Sequence, residues 1–232
     1  MKKIIKIDRI KNIKEALELQ NLGVDIICVS LCDNPMYRDD RIISIRRAIK
    51  IREKVDKCVY VGEFFVQENY KEILRVISKI GFDMIQISTH LLPPIEFVEQ
   101  LNSMDIKIIW AGITPSNDTD KSWILMRYEE YFRFEHFFQL DLLGDLYNAW
   151  NHLKLETPKY PDYELQISEI CELAKEHNIF VTIDFTKENI IEILHSLYSI
   201  KGITIPISKS TNRNDVHFFY YHEVIELLRH MI

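Results

Sequence analysis

Short β-branched runs alternate along the chain with stretches whose apolar residues recur every three to four positions. Lys3 to Asp8 is the first run, and Ile10, Ile13, Ala16, Leu17 and Leu22 then form a helical stripe that stops at Gly23. The pattern predicts strands over Asp25 to Ser30, Lys57 to Phe64, Phe82 to Ser88 and Ile106 to Ala111. Between them it predicts helices over Arg41 to Val55, Asn69 to Ile80 and Pro94 to Ser103. Gly81 closes the second of these helices, and the proline pair before the third suits a helix start, where a missing N–H has no helical partner.

Beyond residue 111 the aromatic segment Trp123 to Arg133 reads either as a helix or as an irregular lid, with helix preferred. Strands follow over Phe137 to Asp141, Ile179 to Asp184 and Ile203 to Ser208, the last carrying Pro206. Helices are expected over Glu164 to His177, Lys187 to Tyr198 and His217 to Met231. Leu155 to Asp162, with Pro158 and Pro161, reads as a long excursion between the sixth strand and its helix. Eight strands that are continuously apolar, instead of alternating, are strands buried on both faces. The architecture this predicts is a (β/α)8 barrel of the TIM type. An open doubly wound sheet is the alternative, but the first turn, Asp8-Arg9-Ile10-Lys11, lacks the glycines that dinucleotide binding uses.

The 232 residues fit one barrel domain spanning 1–232. Against 29 basic side chains stand 35 acidic ones, a formal charge of −6, which argues against broad nucleic-acid binding. No stretch approaches the roughly 18 uninterrupted apolar residues of a membrane span, and the charged start has no signal-peptide block, so a cytoplasmic protein is expected. Cys28, Cys32, Cys58 and Cys171 lack paired metal spacing and are expected as reduced thiols.

In such a barrel, chemistry sits where strands hand over to the loops that follow them. Asp8, Ser30, Glu63, Gln86, Asp141, Asp184, Ser208 and Lys209 are the polar residues at those places, with Ser88, Thr89 and His90 after strand four. Carboxylates opening on one mouth perturb one another and can serve as an acid and a base. The competing reading is that these residues cap helices, as Asp184 would for the helix beginning near Lys187. His90 reads as a loop residue, and His136 and His152 as structural, without metal-ligand spacing. The aromatic residues from Tyr128 to Phe138, and Phe218 to Tyr221, read as core or interface.

The segments KIIKIDRIKNIKEALELQNLGVDIICVSL, NPMYRDD and VYVGEFFVQENYKEILRVISKIGFDMIQIS resemble the first half of phosphoribosylanthranilate isomerase, the tryptophan-pathway barrel enzyme. The likeness runs as far as the fifth strand, and Asp141, in Phe-Gln-Leu-Asp, falls where that family's general-acid aspartate closes strand six. The departures fall on the chemistry. The family's strand-one motif Lys-Ile-Cys-Gly-Ile-Thr, whose cysteine is the base, here reads Lys6-Ile7-Asp8-Arg9-Ile10-Lys11. A carboxylate can still abstract a proton. Met36 replaces the arginine that binds the anthranilate carboxylate, with Arg38 close by to substitute. The glycine-rich phosphate turns after strands seven and eight are replaced by Ile183-Asp184-Phe185-Thr186 and Ile207-Ser208-Lys209-Ser210-Thr211, in a chain with only six glycines. Asp184 would repel phosphate, whereas Ser208, Lys209 and Arg213 could restore an anion site.

The resemblance implies an isomerase-like enzyme acting on a sugar or sugar-phosphate derivative, with Asp8 as base and Asp141 as acid. Glu63 and Gln86 would orient the substrate, and Arg38, Lys209 and Arg213 would hold an anionic group. It implies no metal or organic cofactor. The alternative is an inactive barrel that serves as a ligand- or protein-binding subunit, with a protein partner or a second copy of itself. The ordinary tryptophan-pathway activity is not expected. No nucleic-acid or membrane partner is expected.

Overall fold

The computed structural model describes residues 2–31, 41–66, 68–88, 92–155, 165–208 and 217–231. Eight parallel strands close into a barrel in chain order: β1 (Ile4–Asp8), β2 (Ile26–Ser30), β3 (Val59–Phe64), β4 (Met84–Ser88), β5 (Lys107–Ile113), β6 (His136–Asp141), β7 (Ile179–Thr182) and β8 (Gly202–Pro206). β8 pairs with β1 over its whole length, from Ile4 opposite Gly202 to Asp8 opposite Pro206, which completes the ring. The expected (β/α)8 barrel is the observed fold.

The helices form the outer ring: α1 (Ile13–Asn21), α2 (Ile45–Arg52), α3 (Tyr70–Ile80), α4 (Ile95–Ser103), α5 (Lys121–Ile124), α6 (Ala149–Leu153), α7 (Ile167–Glu176), α8 (Ile190–Ser196) and α9 (Tyr221–Met231). Their ends follow local chemistry. Asn12 and Ser44 each accept from the backbone N–H three residues on, of Glu15 and Arg47, in the first turns of α1 and α2. Gly81 closes α3 at φ +74°, a left-handed position that costs glycine no Cβ clash. Pro94 precedes α4 as its N-cap, with extended backbone, instead of sitting inside the first turn. The aromatic segment after β5 is not one helix: α5 stops at Ile124 and a 3₁₀ turn covers Met126–Tyr131. Tyr128 and Tyr131 both pack on Trp110 of β5, with ring centroids 5.2 and 5.1 Å away, and that docking sets the tighter winding. α6 is an element the periodicity did not predict.

Two apolar layers result. The larger lies between the strands and the helices, and the smaller fills the barrel, where Ile26, Cys28, Val61, Met84, Ile109 and Phe180 meet. Phe137 stacks on Phe180 there, with centroids 5.3 Å apart. Because strand side chains alternate faces, the next inward positions toward the carboxyl ends are fixed. Val61 is succeeded by Glu63, Met84 by Gln86, Phe137 by Gln139 and Phe180 by Thr182. The barrel therefore changes from apolar to polar along its axis within one layer of side chains. Cys28, Cys58 and Cys171 are buried and form no disulfide.

Two consequences can be measured. A Cβ on Gly202 would stand 2.0 Å from the Ile4 carbonyl oxygen, a backbone atom at the closing seam. Gly202→Ala should therefore cost about 1–3 kcal/mol or more in urea unfolding, with the slope unchanged. His136 lies buried among Phe132, Phe138 and His177. Burial, and secondarily His177, push its pKa down to about 4. Between that value and the ordinary 6.5 the unfolded chain binds the extra proton, so stability falls as pH drops through this window. The fall should be on the order of 3 kcal/mol and should flatten in His136→Gln.

Candidate active site

The polar layer is organised around Lys6, whose side chain is fully buried. Its ammonium is paired with the Asp8 carboxylate two residues on, and donates to Gln86 Oε1 at 2.6 Å and Gln139 Oε1 at 2.7 Å. Three acceptors match the three N–H donors of a lysine, which is what lets an ammonium sit inside a barrel. The glutamine amides turn their Nε2 groups to Asp8 Oδ2, at 3.3 Å from Gln86 and 3.2 Å from Gln139. Gln86 Nε2 also lies 3.4 Å from Glu63 Oε1. β1, β3, β4 and β6 thus meet in one network, with Asp8 held from below and from two sides.

Arg9 follows at once, in left-handed backbone at φ +69°. Glycine adopts that conformation freely and is the residue at this place in the strand-one motif quoted above. An arginine there is strained by about 1 kcal/mol or more. The turn is pinned by Ile10 N–H donating to the Cys28 carbonyl and by Arg41 Nε donating to the Arg9 carbonyl at 2.7 Å. The Arg9 side chain is buried over the mouth, with its guanidinium 5.0 Å from the Phe218 ring centre and Nε 3.9 Å from Glu63 Oε2.

Asp141 ends β6 across the mouth. Its Oδ1 is 2.6 Å from His217 Nδ1, and its Oδ2 accepts the His217 backbone N–H at 2.9 Å. Burial opposes the charged imidazole, but the bond to Asp141 and the fields of Asp141 and Asp184 outweigh it and raise the His217 pKa above its ordinary value. Asp8, Arg9, Glu63, Gln86, Gln139 and Asp141 all line one cavity of about 50 Å³ at the carboxyl ends of the strands. Among these side chains and their partners each acid has a basic neighbour: Lys6 for Asp8, Arg9 for Glu63, and the imidazole of His217 for Asp141.

The remaining candidates separate. Asp184 lies past the end of β7, and its Oδ1 accepts the Trp150 N–H at 2.8 Å near the start of α6. It therefore serves a different helix from the one the sequence suggested, whose first turn is closed by Thr186 and Asn189 bonding to each other. Burial raises the Asp184 pKa against the lowering effects of the Trp150 N–H and His217. Asp184 also lines a second cleft of about 530 Å³ with Glu188, Glu223 and Glu226, and with Lys187 and His217. Ser208 is buried with Oγ unpartnered among the described residues, while its N–H donates to the Phe219 carbonyl. Arg38, Lys209 and Arg213, together with Cys32, Thr89 and His90, lie outside the described residues. Among the described residues no cluster of His, Cys, Asp and Glu could hold a metal ion, and no helix is long and apolar enough to cross a membrane.

Lys6, Arg9, Gln139 and His217 are the site residues that reading from strand ends passed over. Parity would have found two of them, since Lys6 precedes Asp8 and Gln139 precedes Asp141 by two. His217 had no such signal, because its contact spans 76 residues. Removing one member of a buried ion pair strands the other. Lys6→Met should therefore lower stability by about 3–5 kcal/mol, and Lys6→Met/Asp8→Leu should recover most of that loss in a thermal or urea double-mutant cycle.

No protein-family model matches the chain, and no curated protein does. Among solved structures, a phosphoribosyl anthranilate isomerase in complex with reduced 1-(o-carboxyphenylamino)-1-deoxyribulose 5-phosphate is similar at 16% identity and TM-score 0.67, over 99% of this chain and 98% of that one. The isomerases from Thermotoga maritima (18%) and Pyrococcus furiosus (16%) are similar with the same TM-score and the same coverage. A DAHP synthase from Thermotoga maritima is similar at 14% identity and TM-score 0.62, over 99% of this chain and 68% of that one. At these identities the likeness is one of fold: the chain has the barrel architecture that the phosphoribosylanthranilate isomerases also have, along its whole length.

Proposed function

We propose that the barrel mouth is a proton-transfer site of the aldose–ketose isomerase type, acting on a sugar or sugar-phosphate derivative, with Asp8 as base and Asp141 as acid. The observation that carries the reading is that these two carboxylates, from strands on different sides of the ring, line the same cavity. Asp8 takes the proton from the carbon next to the carbonyl or iminium carbon. The electron pair of that C–H bond forms the C=C bond of an enediol or enaminol while the π pair of the C=O or C=N bond moves onto its oxygen or nitrogen, and the Asp141–His217 pair donates a proton to the oxygen where a carbonyl reacts. Tautomerisation then returns a proton to the neighbouring carbon. Lys6, Gln86 and Gln139 fix the Asp8 carboxylate, so reaction requires no reorganisation of the base. An anionic end of the substrate would be held by Arg38, Lys209 and Arg213 with Ser208.

A second reading is favoured by particular features: the Lys6 ammonium already occupies one oxygen of Asp8, and the cavity of about 50 Å³ is far below the 300–1,000 Å³ typical of small-molecule sites. On that reading the barrel is an inactive ligand- or protein-binding subunit. The similar isomerases from other sources bind a phosphorylated compound in one structure and are described as dimeric in another. Either property would come to this chain only with a working mouth or interface of its own.

Incubation with ribose 5-phosphate and with phosphoribosylanthranilate in deuterated water separates the two. The proton-transfer reading predicts deuterium at C2 of one of them, with Asp8→Asn and Asp141→Asn each slower by about 10²–10⁴. No exchange above the buffer rate supports the binding subunit instead. Growth of a tryptophan auxotroph lacking the isomerase would show that Asp8 can replace the base cysteine in the ordinary pathway reaction.

A further inference from the structure

Beyond Gln86, the residues that β4 and β5 bring to the mouth are all neutral. Ser88 is the next inward position of β4, and it lines the cavity with Ala111, Gly112, Ile113 and Thr114. Consecutive residues of a regular strand alternate faces, so a run of neighbours lining one cavity requires an irregular backbone. β5 supplies it with a bulge. Trp110 lies opposite Phe138 and Ile113 opposite Leu140, so β5 carries one residue more than β6 over this stretch. Ala111 lies opposite Ser88, whereas Gly112 pairs in register with neither neighbouring strand among the described residues. Gly112 is exposed and left-handed, at φ +76°.

Ser88 is 9% exposed, and its hydroxyl makes no hydrogen bond among the described residues. A Cβ built on Gly112 would meet Ser88 Oγ at 3.7 Å and, chain neighbours aside, no other atom within 4 Å. The bare glycine therefore leaves open a space whose nearest wall is a hydroxyl that the protein does not use. A side chain there would cover that hydroxyl. A serine hydroxyl both donates and accepts, and Ser88 and residues 111–114 offer no charge to pair with an ammonium or a carboxylate. A neutral oxygen suits the place. We propose that Ser88 and Gly112 form a subsite for one hydroxyl or carbonyl oxygen of a polyhydroxy ligand, with Ser88 Oγ making the hydrogen bond and Gly112 admitting the ligand to it. The inference rests on the mouth being a ligand site, but not on the site being catalytic.

Binding of D-ribose 5-phosphate, followed by NMR titration, tests the subsite. Ser88→Ala, which deletes one oxygen, should weaken binding by about threefold or more, the worth of one hydrogen bond. Gly112→Asn keeps a residue that tolerates left-handed backbone but sets a side chain over Ser88, and should weaken binding by about tenfold or more. Adding Ser88→Ala to Gly112→Asn should then cost less than about twofold further, because the hydroxyl is already covered. A purely structural role for either residue would not produce that coupling. The Ser88→Ala comparison stands by itself if Gly112→Asn does not fold. No saturable binding by the wild type, a Ser88→Ala loss below about threefold, or losses that multiply in the double variant would overturn the subsite. Deuterium exchange at C2 with binding unchanged in Ser88→Ala would leave the isomerase reading standing without the subsite. Exchange absent while the Ser88-dependent affinity holds would do the reverse.

Discussion

A single ammonium inside the barrel dictates how the mouth is built. Lys6 is sealed from water, and an isolated charge in that position would cost far more than the fold could offset. It is tolerable only because Asp8, Gln86 and Gln139 converge on it from three strands. That convergence in turn requires the strands to hold a register in which inward positions of β1, β4 and β6 lie in one layer. The apolar plug of Ile26, Val61, Met84, Ile109 and Phe180 fills the other end and leaves those positions no alternative. Stability of the ring and orientation of the Asp8 carboxylate are two results of the same contact.

The pairing of charges continues outward. Glu63 faces Arg9 and Asp141 faces the His217 imidazole, so the acids of the mouth have basic partners from the chain itself. The neighbouring cleft follows the same pattern, with Asp184, Glu188, Glu223 and Glu226 alongside Lys187 and His217. Asp8 is tied by several hydrogen bonds, Asp141 bonds to both the backbone and the ring of His217, and Glu63 Oε2 has no hydrogen-bond partner among the described residues.

Much of the architecture was legible because strands buried on both faces write apolar runs, such as Ile26 to Val29 and Ile108 to Ala111, that recur between helical stripes. Helix ends were legible where a glycine or an asparagine marks them, as at Gly81 and Asn12. The segment after β5 was not, because a helical period in aromatic residues is indistinguishable from two short turns docked on Trp110. The site was half legible. Asp8, Glu63, Gln86 and Asp141 come together as strand-end positions should, but Lys6 reads as an interruption of an apolar run until its partners across the ring are known. Asp184 shows the opposite case: a strand-end acid whose carboxylate is spent on the backbone of α6, a helix too short to leave a periodic trace.

The central claim is that Asp8 and Asp141 bound one ligand-accepting mouth. A crystal structure of the protein grown with D-ribulose 5-phosphate addresses it directly. The account predicts the sugar carbons between the two carboxylates. A ligand bound elsewhere on the barrel, with the Lys6–Asp8 and His217–Asp141 pairs undisturbed and only water between them, would contradict it.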